Sequence, residues 1–395
     1  MSHKVHCSGL AQAYSLAMLR QPKIGSPSAA VGAATSLLCA LVGWLPAACV
    51  PPKPTPFTGT VTRSRHFCLI GDQRRTAWFE FWRAQNDRER HLLVEAVARK
   101  KPAFVALTGD LVAWGAERGR WHRFSRLMAP IREAGIGVYP ALGNHEYLGR
   151  NSTALRNYFA HFPHLNHRHW YELRFGALSL LFLDTNHDDL GPSRREAQLR
   201  WFKTRLTALD RTQNVSGVLV LLHHPPFTNS TRHNDNAHVK RQLVPTFMAA
   251  RKTLAMIAGH THTYERFRRQ GRMFINSGGG GAPRVDVYQG NKRRHRDDLY
   301  PGPKLRRFHY LCFYPGPEGL SVVVSGIKKG ERTFTVMERF SMKFALPSTE
   351  APAKSSRGAA PANPSPADCH PGRRVTRGGV SGQRSSRSRP FRPRL

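Results

Sequence analysis

Apolar and polar positions follow two rhythms in the part of the chain from about Arg65 to Phe344. Short apolar runs bounded by turn residues predict buried strands, and apolar residues that recur every three to four positions predict amphipathic helices. The first half of this region is predicted as strand 66–70, helix 79–100, strand 103–108, helix 121–134 and strand 137–142. Strands that alternate with helices predict an α/β fold with a parallel sheet.

The second half of the region is predicted to add a hairpin around Gly176, another helix and further strands. Ser193, with Glu196 three residues later, predicts a capping box at the start of that helix. The predicted strands are 171–175, 178–183, 218–222, 253–258, 273–276, 308–313, 320–324 and 333–338. The last four alternate apolar and polar residues, which predicts an antiparallel sheet. Together the elements predict two packed sheets covered by helices.

The amino-terminal region contains an uncharged stretch between Lys23 and Lys53. Its apolar run, 37–50, follows basic residues and ends in small ones, which is typical of an export signal, with a membrane anchor as the alternative. The ending at Cys49 is similar to a lipoprotein cleavage site, except that a proline stands where leucine is usual. We therefore predict that residues 1–50 direct export, leaving the protein secreted, periplasmic or membrane-anchored.

Three further segments follow from composition. Residues 51–64 are predicted as a Pro-rich linker and 65–345 as the folded domain. Residues 346–395 are rich in Arg, Pro and Ser and have almost no large apolar residues, so they are predicted to be a disordered tail.

The formal net charge is +36, from 61 Lys and Arg against 25 Asp and Glu. Such a balance favours acidic partners: nucleic acid, an anionic surface reached by the basic tail, or phosphorylated substrates. A basic surface with a basic tail explains the charge equally well, so the charge by itself identifies no partner.

The chain has six cysteines and no CxxC pair, which argues against a structural zinc site. Cys68 and Cys312 stand on predicted strands. We expect them to be buried as small hydrophobic residues rather than joined in a disulfide.

Candidate chemistry stands at the ends of the predicted strands, where ligand sites of α/β sheets collect. The polar clusters that follow strands are Gly71-Asp72, Gly109-Asp110, Gly143-Asn144-His145-Glu146, His223-His224-Pro225 and Gly259-His260-Thr261-His262. They offer carboxylate, amide and imidazole ligands but no thiolate. This mixture favours zinc, manganese or iron.

In this order, the clusters resemble the calcineurin-like metallophosphoesterase superfamily over roughly residues 65–340. The stretch 221–267, with Pro225, Asn229, His233 and the run GHTHTYER, is most similar to the purple acid phosphatase branch. The resemblance implies a four-layer αββα sandwich of two mixed sheets flanked by helices.

The resemblance also implies two divalent or trivalent metal ions, of Mn, Fe or Zn. Asp110 would bridge them, with Asp72 and His262 on the first ion and Asn144, His223 and His260 on the second. His145 would contact the substrate phosphate or protonate the leaving group, and His233 would face the substrate. A metal-activated water would then hydrolyse a phosphate ester.

Two alternatives to a phosphoesterase remain at this point. One is a basic nuclease or nucleic-acid-binding protein, in which nucleic acid is the substrate or ligand. The other is a metal-impaired pseudoenzyme that binds phosphate. The second rests on Arg74, which stands where many members of the superfamily have a metal-binding His, and on Ala113, which stands where the purple branch has a Tyr. We therefore expect a weak first site, unless Arg74 turns outward to meet substrate phosphate.

Overall fold

A computed structural model describes residues 53–77, 80 and 82–345. The predicted export segment and tail lie outside these residues. Among the described residues, no helix has the length and apolar character needed to cross a membrane.

The described residues contain twelve strands, and those predicted from apolar runs are all present within a few residues of their expected bounds. They are β1 Phe67–Ile70, β2 Phe104–Leu107, β3 Gly137–Pro140, β4 Tyr171–Phe175, β5 Leu178–Phe182, β6 Gly217–Leu221, β7 Thr253–Ala258, β8 Tyr264–Arg269, β9 Arg272–Ser277, β10 Phe308–Pro315, β11 Gly319–Ile327 and β12 Thr335–Lys343. β8 was not predicted, because its central residues are charged or polar.

The strands form two six-stranded sheets. The first has the order β12-β11-β10-β1-β2-β3, with β1 to β3 parallel and β10 to β12 antiparallel. The second has the order β4-β5-β6-β7-β9-β8, with β5, β6, β7 and β9 parallel. The prediction that 273–276 joins the late antiparallel strands is wrong: this segment pairs in parallel with β7, because β8 and β9 form a hairpin at the edge of the second sheet.

Seven α-helices lie between the strands in the described residues. They are α1 Asp87–Arg99, α2 Arg118–Leu127, α3 Ala129–Glu133, α4 Asn151–His161, α5 His187–Leu190, α6 Pro192–Arg211 and α7 Val244–Ala249. Three predicted details are wrong. The helix predicted at 79–100 begins only at Asp87, and the helix predicted at 121–134 is divided at Met128, because Pro130 is accommodated only in a first helical turn.

The third wrong detail is the capping box at Ser193. α6 begins one residue earlier, with Gly191 in the N-cap position and Pro192 as the first helical residue. Gly191 has a φ of 75°, a conformation that costs glycine little. Proline suits the first helical position because it has no N–H to leave unbonded there.

The second sheet buries both of its faces. Leu180 and Phe182 of β5 point into the core shared with the first sheet, and Leu181 points to the opposite side. There it joins Phe202 and Leu206 of α6. Leu93 and Val97 of α1 join the core of the first sheet. The predicted four-layer αββα sandwich is thereby confirmed.

Cys68 and Cys312 form a disulfide, so the prediction of two buried free thiols is wrong. The two residues are 244 positions apart in sequence, yet they are direct partners in the antiparallel pair β1–β10. Nothing along the chain marks that pairing, because it exists only once the last strands return to the middle of the first sheet.

The segment before β1 packs onto the domain. Phe57 is buried and stacks on Phe162, with ring centres 5.3 Å apart. The carbonyl of Thr58 accepts the Val138 N–H at 3.0 Å, and the Thr62 N–H bonds the Ala103 carbonyl at 2.9 Å. The packed region therefore begins inside the predicted linker, ahead of residue 65.

Candidate metal centre

Five loops converge at one end of the two sheets. Those after β1, β2 and β3 come from the first sheet, and those after β6 and β7 come from the second. Four residues on these loops have left-handed backbones: Asp72, Asp110, His260 and His262, with φ between 51° and 68°. Such conformations cost a non-glycine residue about 1–3 kcal/mol and persist where the surroundings enforce them, most often at functional sites. Each of the first three follows a glycine directly.

Four ligand atoms from these loops meet at what we call the second site. The Asn144 Oδ1 lies 3.0 Å from His223 Nε2 and 3.1 Å from His260 Nδ1. His223 Nε2 is 3.2 Å from His260 Nδ1 and 3.3 Å from Asp110 Oδ1. Tetrahedral ligands that lie about 2.0–2.1 Å from an ion are roughly 3.3 Å from one another. The four atoms therefore have the spacing of a coordination shell.

Hydrogen bonds behind the ligands select the ring nitrogen that faces the site. His223 Nδ1 lies 2.7 Å from the Thr108 carbonyl, and His262 Nδ1 lies 2.8 Å from the Pro283 carbonyl. A carbonyl only accepts, so Nδ1 carries the proton in each ring and Nε2 keeps a free lone pair. Burial also lowers the pKa of His262 to about 3, which keeps the ring neutral.

The first site is formed by Asp72, Asp110 and His262. His262 Nε2 lies 3.4 Å from Asp72 Oδ1, and these two residues with Asp110 form a group that could hold a cation. Both oxygens of Asp72 accept the His260 N–H, at 2.9 and 3.0 Å, which fixes the carboxylate. Burial raises the pKa of Asp72 to about 8, with the neighbouring Asp110 charge adding to the rise. Two buried carboxylates thus need a cation before both can ionise.

His145 lies beside Asp110. Its Nδ1 donates to the Ala113 carbonyl at 2.9 Å, and its Nε2 is 3.8 Å from Asp110 Oδ2. The backbone N–H of His145 also donates to Asp110 Oδ1 at 3.1 Å. Burial lowers the pKa of the ring to about 4, while the Asp110 charge opposes that shift. The ring therefore turns its Nε2 edge towards Asp110 and the site.

His233 and His224 lie around His260. The His233 ring is half-buried, 4.5 Å from the His260 ring and 6.2 Å from the His262 ring. The His224 ring is also 4.5 Å from that of His260, and its Nδ1 lies 2.9 Å from Thr185 Oγ1. The structure thus brings together all eight residues that the sequence predicted for the site. It also turns His224 towards the site, where it forms with His223 and His260 a group that could hold a cation.

Comparison with known proteins agrees with this geometry. Residues 69–264 match the family described as calcineurin-like phosphoesterase. The chain is similar to that family over a region that contains all six candidate metal ligands. It is 25% identical over 230 residues to Probable purple acid phosphatase 20 of Arabidopsis thaliana, covering 53% of this chain and 51% of that one. It is 28% identical over 189 residues to Purple acid phosphatase 23 of Arabidopsis thaliana, covering 42% and 39%.

The chain thus spans about half, or less, of the length of these curated relatives. Among solved structures, it is similar to GAP50, the anchor in the inner membrane complex of Plasmodium. The TM-score is 0.55 at 14% identity, over 71% of this chain and 88% of that one. That likeness supports the fold alone.

Arg74 is the departure from the family pattern that matters most. Its side chain is buried, and its Nη1 and Nη2 donate to the two Glu80 oxygens at 2.7 and 3.1 Å. Its Nε lies 4.0 Å from Asp110 Oδ2 and has no hydrogen-bond partner among the described residues. The guanidinium is therefore held next to the first site and does not turn outward to solvent.

Gln73 and Ala113 are the positions at which a further first-site ligand could stand. Gln73 donates its Nε2 to the Met128 sulfur at 3.4 Å, and its buried Oε1 has no hydrogen-bond partner among the described residues. Ala113 offers only a methyl group as its side chain. Within the described residues, the carboxylates and imidazoles that could hold a cation at the first site are thus Asp72, Asp110 and His262.

Two glutamates organise the site from behind. Glu146 is fully buried and accepts the N–H groups of Gly143, Asp110 and Leu111, each at 2.8 Å, which ties the loops after β2 and β3 together. Glu80, which pairs with Arg74, was not predicted as a site residue because it falls inside the stretch 79–100 that was predicted as helix. The only signal for it was an acidic residue six positions after an arginine.

Proposed function

We propose that the protein hydrolyses phosphate esters at a centre of two cations, held by Asp72, Asp110, Asn144, His223, His260 and His262. The observation that carries the proposal is the second site, where four ligand atoms lie 3.0–3.3 Å apart. Four polar groups aimed at one point, with Asp110 and His223 buried, carry a desolvation cost that a bound cation would offset. The match to the calcineurin-like phosphoesterase family supports the same reaction class.

We propose further that the two cations bind with unequal strength. The second site has an amide, two imidazoles and a carboxylate, and within the described residues only the shared Asp110 lies next to a cationic side chain, that of Arg74. The first site has two carboxylates and one imidazole, with the Arg74 guanidinium 4.0 Å from the shared aspartate. Like charges repel in a buried setting. The residues of the second site therefore suit a bound cation well, and those of the first site suit one only in part.

The side chains divide the remaining work. Bound cations would polarise the phosphoryl oxygens and lower the pKa of an attacking water. His145 presents Nε2 beside Asp110. Because Nδ1 already donates to the Ala113 carbonyl, Nε2 gives a proton to the leaving ester oxygen only from the doubly protonated ring, which the negative charge of a bound phosphate would favour. His233, half-buried above His260, is placed to contact the substrate. The unpartnered Nε–H of Arg74 adds positive potential where negative charge develops.

The direct test is an assay of p-nitrophenyl phosphate and bis-p-nitrophenyl phosphate with Mn²⁺, Zn²⁺ and Fe ions. We expect hydrolysis that a chelator abolishes and added metal restores. His122→Ala is a suitable control variant because His122, on α2, lies outside the site. Activity that survives complete metal removal would refute the proposal.

The substrate class extends only as far as the family supports it. Phosphate esters follow from the family, whereas neither nucleic acid nor an anionic surface bound by the tail gains support from the relatives. A metal-impaired phosphate-binding protein is the second candidate, favoured by the position of Arg74. Elemental analysis of purified protein separates the two, because the second candidate would retain less than one ion per chain.

We also propose that the protein is exported. The sequence pattern of residues 1–50 and the buried Cys68–Cys312 disulfide support this, since disulfides persist in oxidising compartments. Protein recovered from its native cell should lack about the first 48 residues by amino-terminal sequencing. An intact amino terminus would contradict export with cleavage. Release from membranes by Cys49→Ser would identify a lipid anchor.

A further inference from the structure

A cavity of about 350 Å³ lies beside the metal centre, on the other side of the loop that follows Asp110. The loop residues Leu111, Val112 and Ala113 form one wall, and the remaining walls come from α1, α2 and Arg75. None of the six proposed ligands lines the cavity, and neither do His145 and His233. The cavity is thus a separate compartment that shares one loop with the site.

The polar lining of the cavity is strongly cationic. Five arginines face it, together with His91 and a single carboxylate, Asp87. The arginines are Arg75, Arg90, Arg120, Arg123 and Arg126. Five guanidinium groups around one small cavity are unfavourable unless anions balance them.

Carboxylates balance only part of this charge. Asp87 pairs with both Arg75 and Arg90, at 2.8 and 2.7 Å, and Glu117 pairs with Arg120 at 2.7 Å. The side chains of Arg123 and Arg126 form no ion pair or hydrogen bond with the described residues. Partial desolvation, together with the guanidinium groups of Arg120 and Arg75, lowers the pKa of Arg123, which shows how closely these charges are gathered. The five arginines carry +5 and the two carboxylates −2, so a net charge of about +3 is left without a balancing anion.

The rest of the lining is apolar. Leu111, Val112, Phe124 and Leu127 are buried core residues that also face the cavity. A cavity of this size exceeds what a bare phosphate fills and falls in the range of small-molecule sites. Arginines together with apolar residues in one cavity match a ligand that has an anionic group and an apolar organic part.

We propose that this cavity binds a small organic phosphate, with its phosphate group at Arg123 and Arg126 and its apolar part against Phe124 and Leu127. Arginine suits that role because its planar fork donates two hydrogen bonds to one phosphate. Arg123 and Arg126 are exposed, so the ligand enters from solvent, while Arg90 is buried at the base of the cavity. The site is distinct from the one where hydrolysis is proposed.

The test is calorimetric titration of full-length, metal-loaded protein with phenylphosphonate, which resists hydrolysis, and with inorganic phosphate. We expect two phenylphosphonate sites per chain, one at the metal centre and one in the cavity. Arg123→Ser/Arg126→Ser should weaken the cavity site about 10²-fold, because two charge-assisted contacts are lost. Inhibition of p-nitrophenyl phosphate hydrolysis by phenylphosphonate, which reports the metal centre, should not change.

Arg99→Ser/Arg118→Ser is the matched control, since it removes two exposed arginines that lie outside the cavity on α1 and α2, the helices that line it. It should leave both sites intact. The absence of any wild-type site that Arg123→Ser/Arg126→Ser weakens, or an equal loss in the control, would overturn the proposal. Phenylphosphonate should bind the cavity about tenfold more tightly than phosphate, because its ring covers the apolar floor. Equal affinities would overturn the organic assignment. The cavity site should persist even if the protein hydrolyses nothing, so its failure is distinguishable from failure of the proposed function.

Discussion

The two halves of the candidate metal centre are built on the same kind of loop but differ in what surrounds them. At the second site, Asn144, His223 and His260 meet Asp110 with contacts of 3.0–3.3 Å between candidate ligand atoms. At the first site, His262 Nε2 lies 3.4 Å from Asp72 Oδ1, and Arg74 lies beside the shared Asp110. Both halves use residues with left-handed backbones, and Arg74 adds positive charge beside the first. The loops thus set where ligands can stand, and single residues decide how well they bind.

The Arg74–Glu80 pair explains how a cation can be tolerated next to a metal site. A buried guanidinium without a partner would be costly, but Glu80 accepts two hydrogen bonds from it and a further one from Arg83. Burial alone would raise the pKa of Glu80, yet the hydrogen bonds and charge of Arg74 hold it well below its usual range. The glutamate therefore stays ionised and leaves Arg74 with less charge to impose on the first site.

The largest expected effect comes from breaking the second site. His223→Ala should empty that site and reduce hydrolysis by at least about 10³-fold, because the imidazole is fully buried and its Nε2 lies within 3.3 Å of the three other candidate ligand atoms. Metal content by elemental analysis and turnover of p-nitrophenyl phosphate check it. His122→Ala should change neither. Retention of two ions per chain in His223→Ala would show that His223 is not a ligand.

Adjacent residues of one loop should differ in their effects. His145→Ala should lower turnover by about 10²–10⁴-fold with metal content intact, as expected for a general acid. Asn144→Ala should instead lower occupancy of the second site, because its Oδ1 contacts both His223 and His260. The two variants are compared by metal analysis and by turnover at saturating metal. An equal loss of metal in both would refute this division of roles.

A smaller effect is expected from restoring the first site. Arg74→His/Glu80→Gln should tighten the weaker of two metal-binding steps by about tenfold, since a cation is replaced by a neutral ligand and Glu80 is not left unpaired. Titration of metal-free protein checks this. Arg83→His is the matched control, because Arg83 pairs with the same glutamate but is not paired with Asp110. Two equally tight sites in the wild-type protein would mean that the first-site ligands are misassigned.

The smallest effect concerns the loop that holds His233 over the second site. Asp235 anchors this loop through His295 at 2.8 Å, Lys240 at 3.0 Å and the Thr228 N–H at 3.0 Å. Burial alone would raise the pKa of Asp235, but these hydrogen bonds lower it to about 2. Because the pKa of Asp235 is lower in the folded protein than in the unfolded chain, its ionisation stabilises the fold at pH values above the unfolded-state pKa. This stabilisation is lost as the pH falls through about 2.

Asp235→Asn should therefore lower the free energy of unfolding by about 1 kcal/mol near neutral pH, because the pair is partly exposed. The gap to the wild-type protein should shrink below about pH 4, as Asp235 in the unfolded chain becomes protonated. Urea unfolding at about pH 5 and about pH 3 measures it. Asp286→Asn, at a more exposed pair with Lys304, is the control and should cost less. A gap that grows on acidification would show the opposite sign of linkage.

The sequence by itself determined eleven of the twelve described strands, the order of the ligand clusters and the side chains that chemistry would need. This was possible because most strands contain a short apolar run and each cluster follows one directly, so local pattern carries the information. Asp72, Asp110 and His260 follow glycines at strand ends, and that signal is local as well. The number and spacing of the cysteines argued against a structural zinc site, but they did not show which two cysteines form a disulfide.

Only the tertiary structure decided which distant residues become neighbours. The Cys68–Cys312 disulfide, the clamp of Glu146 on two loops and the arginines around the cavity all depend on contacts between elements far apart in sequence. The orientation of Arg74 is the clearest case. From the sequence, the Arg74 side chain could either turn outward to meet substrate phosphate or repel a cation at the first site. Glu80 decides its orientation by pairing with it, ahead of the helix, which begins only at Asp87. Local pattern specifies elements, whereas the partner of a buried charge is set by the packing that encloses it.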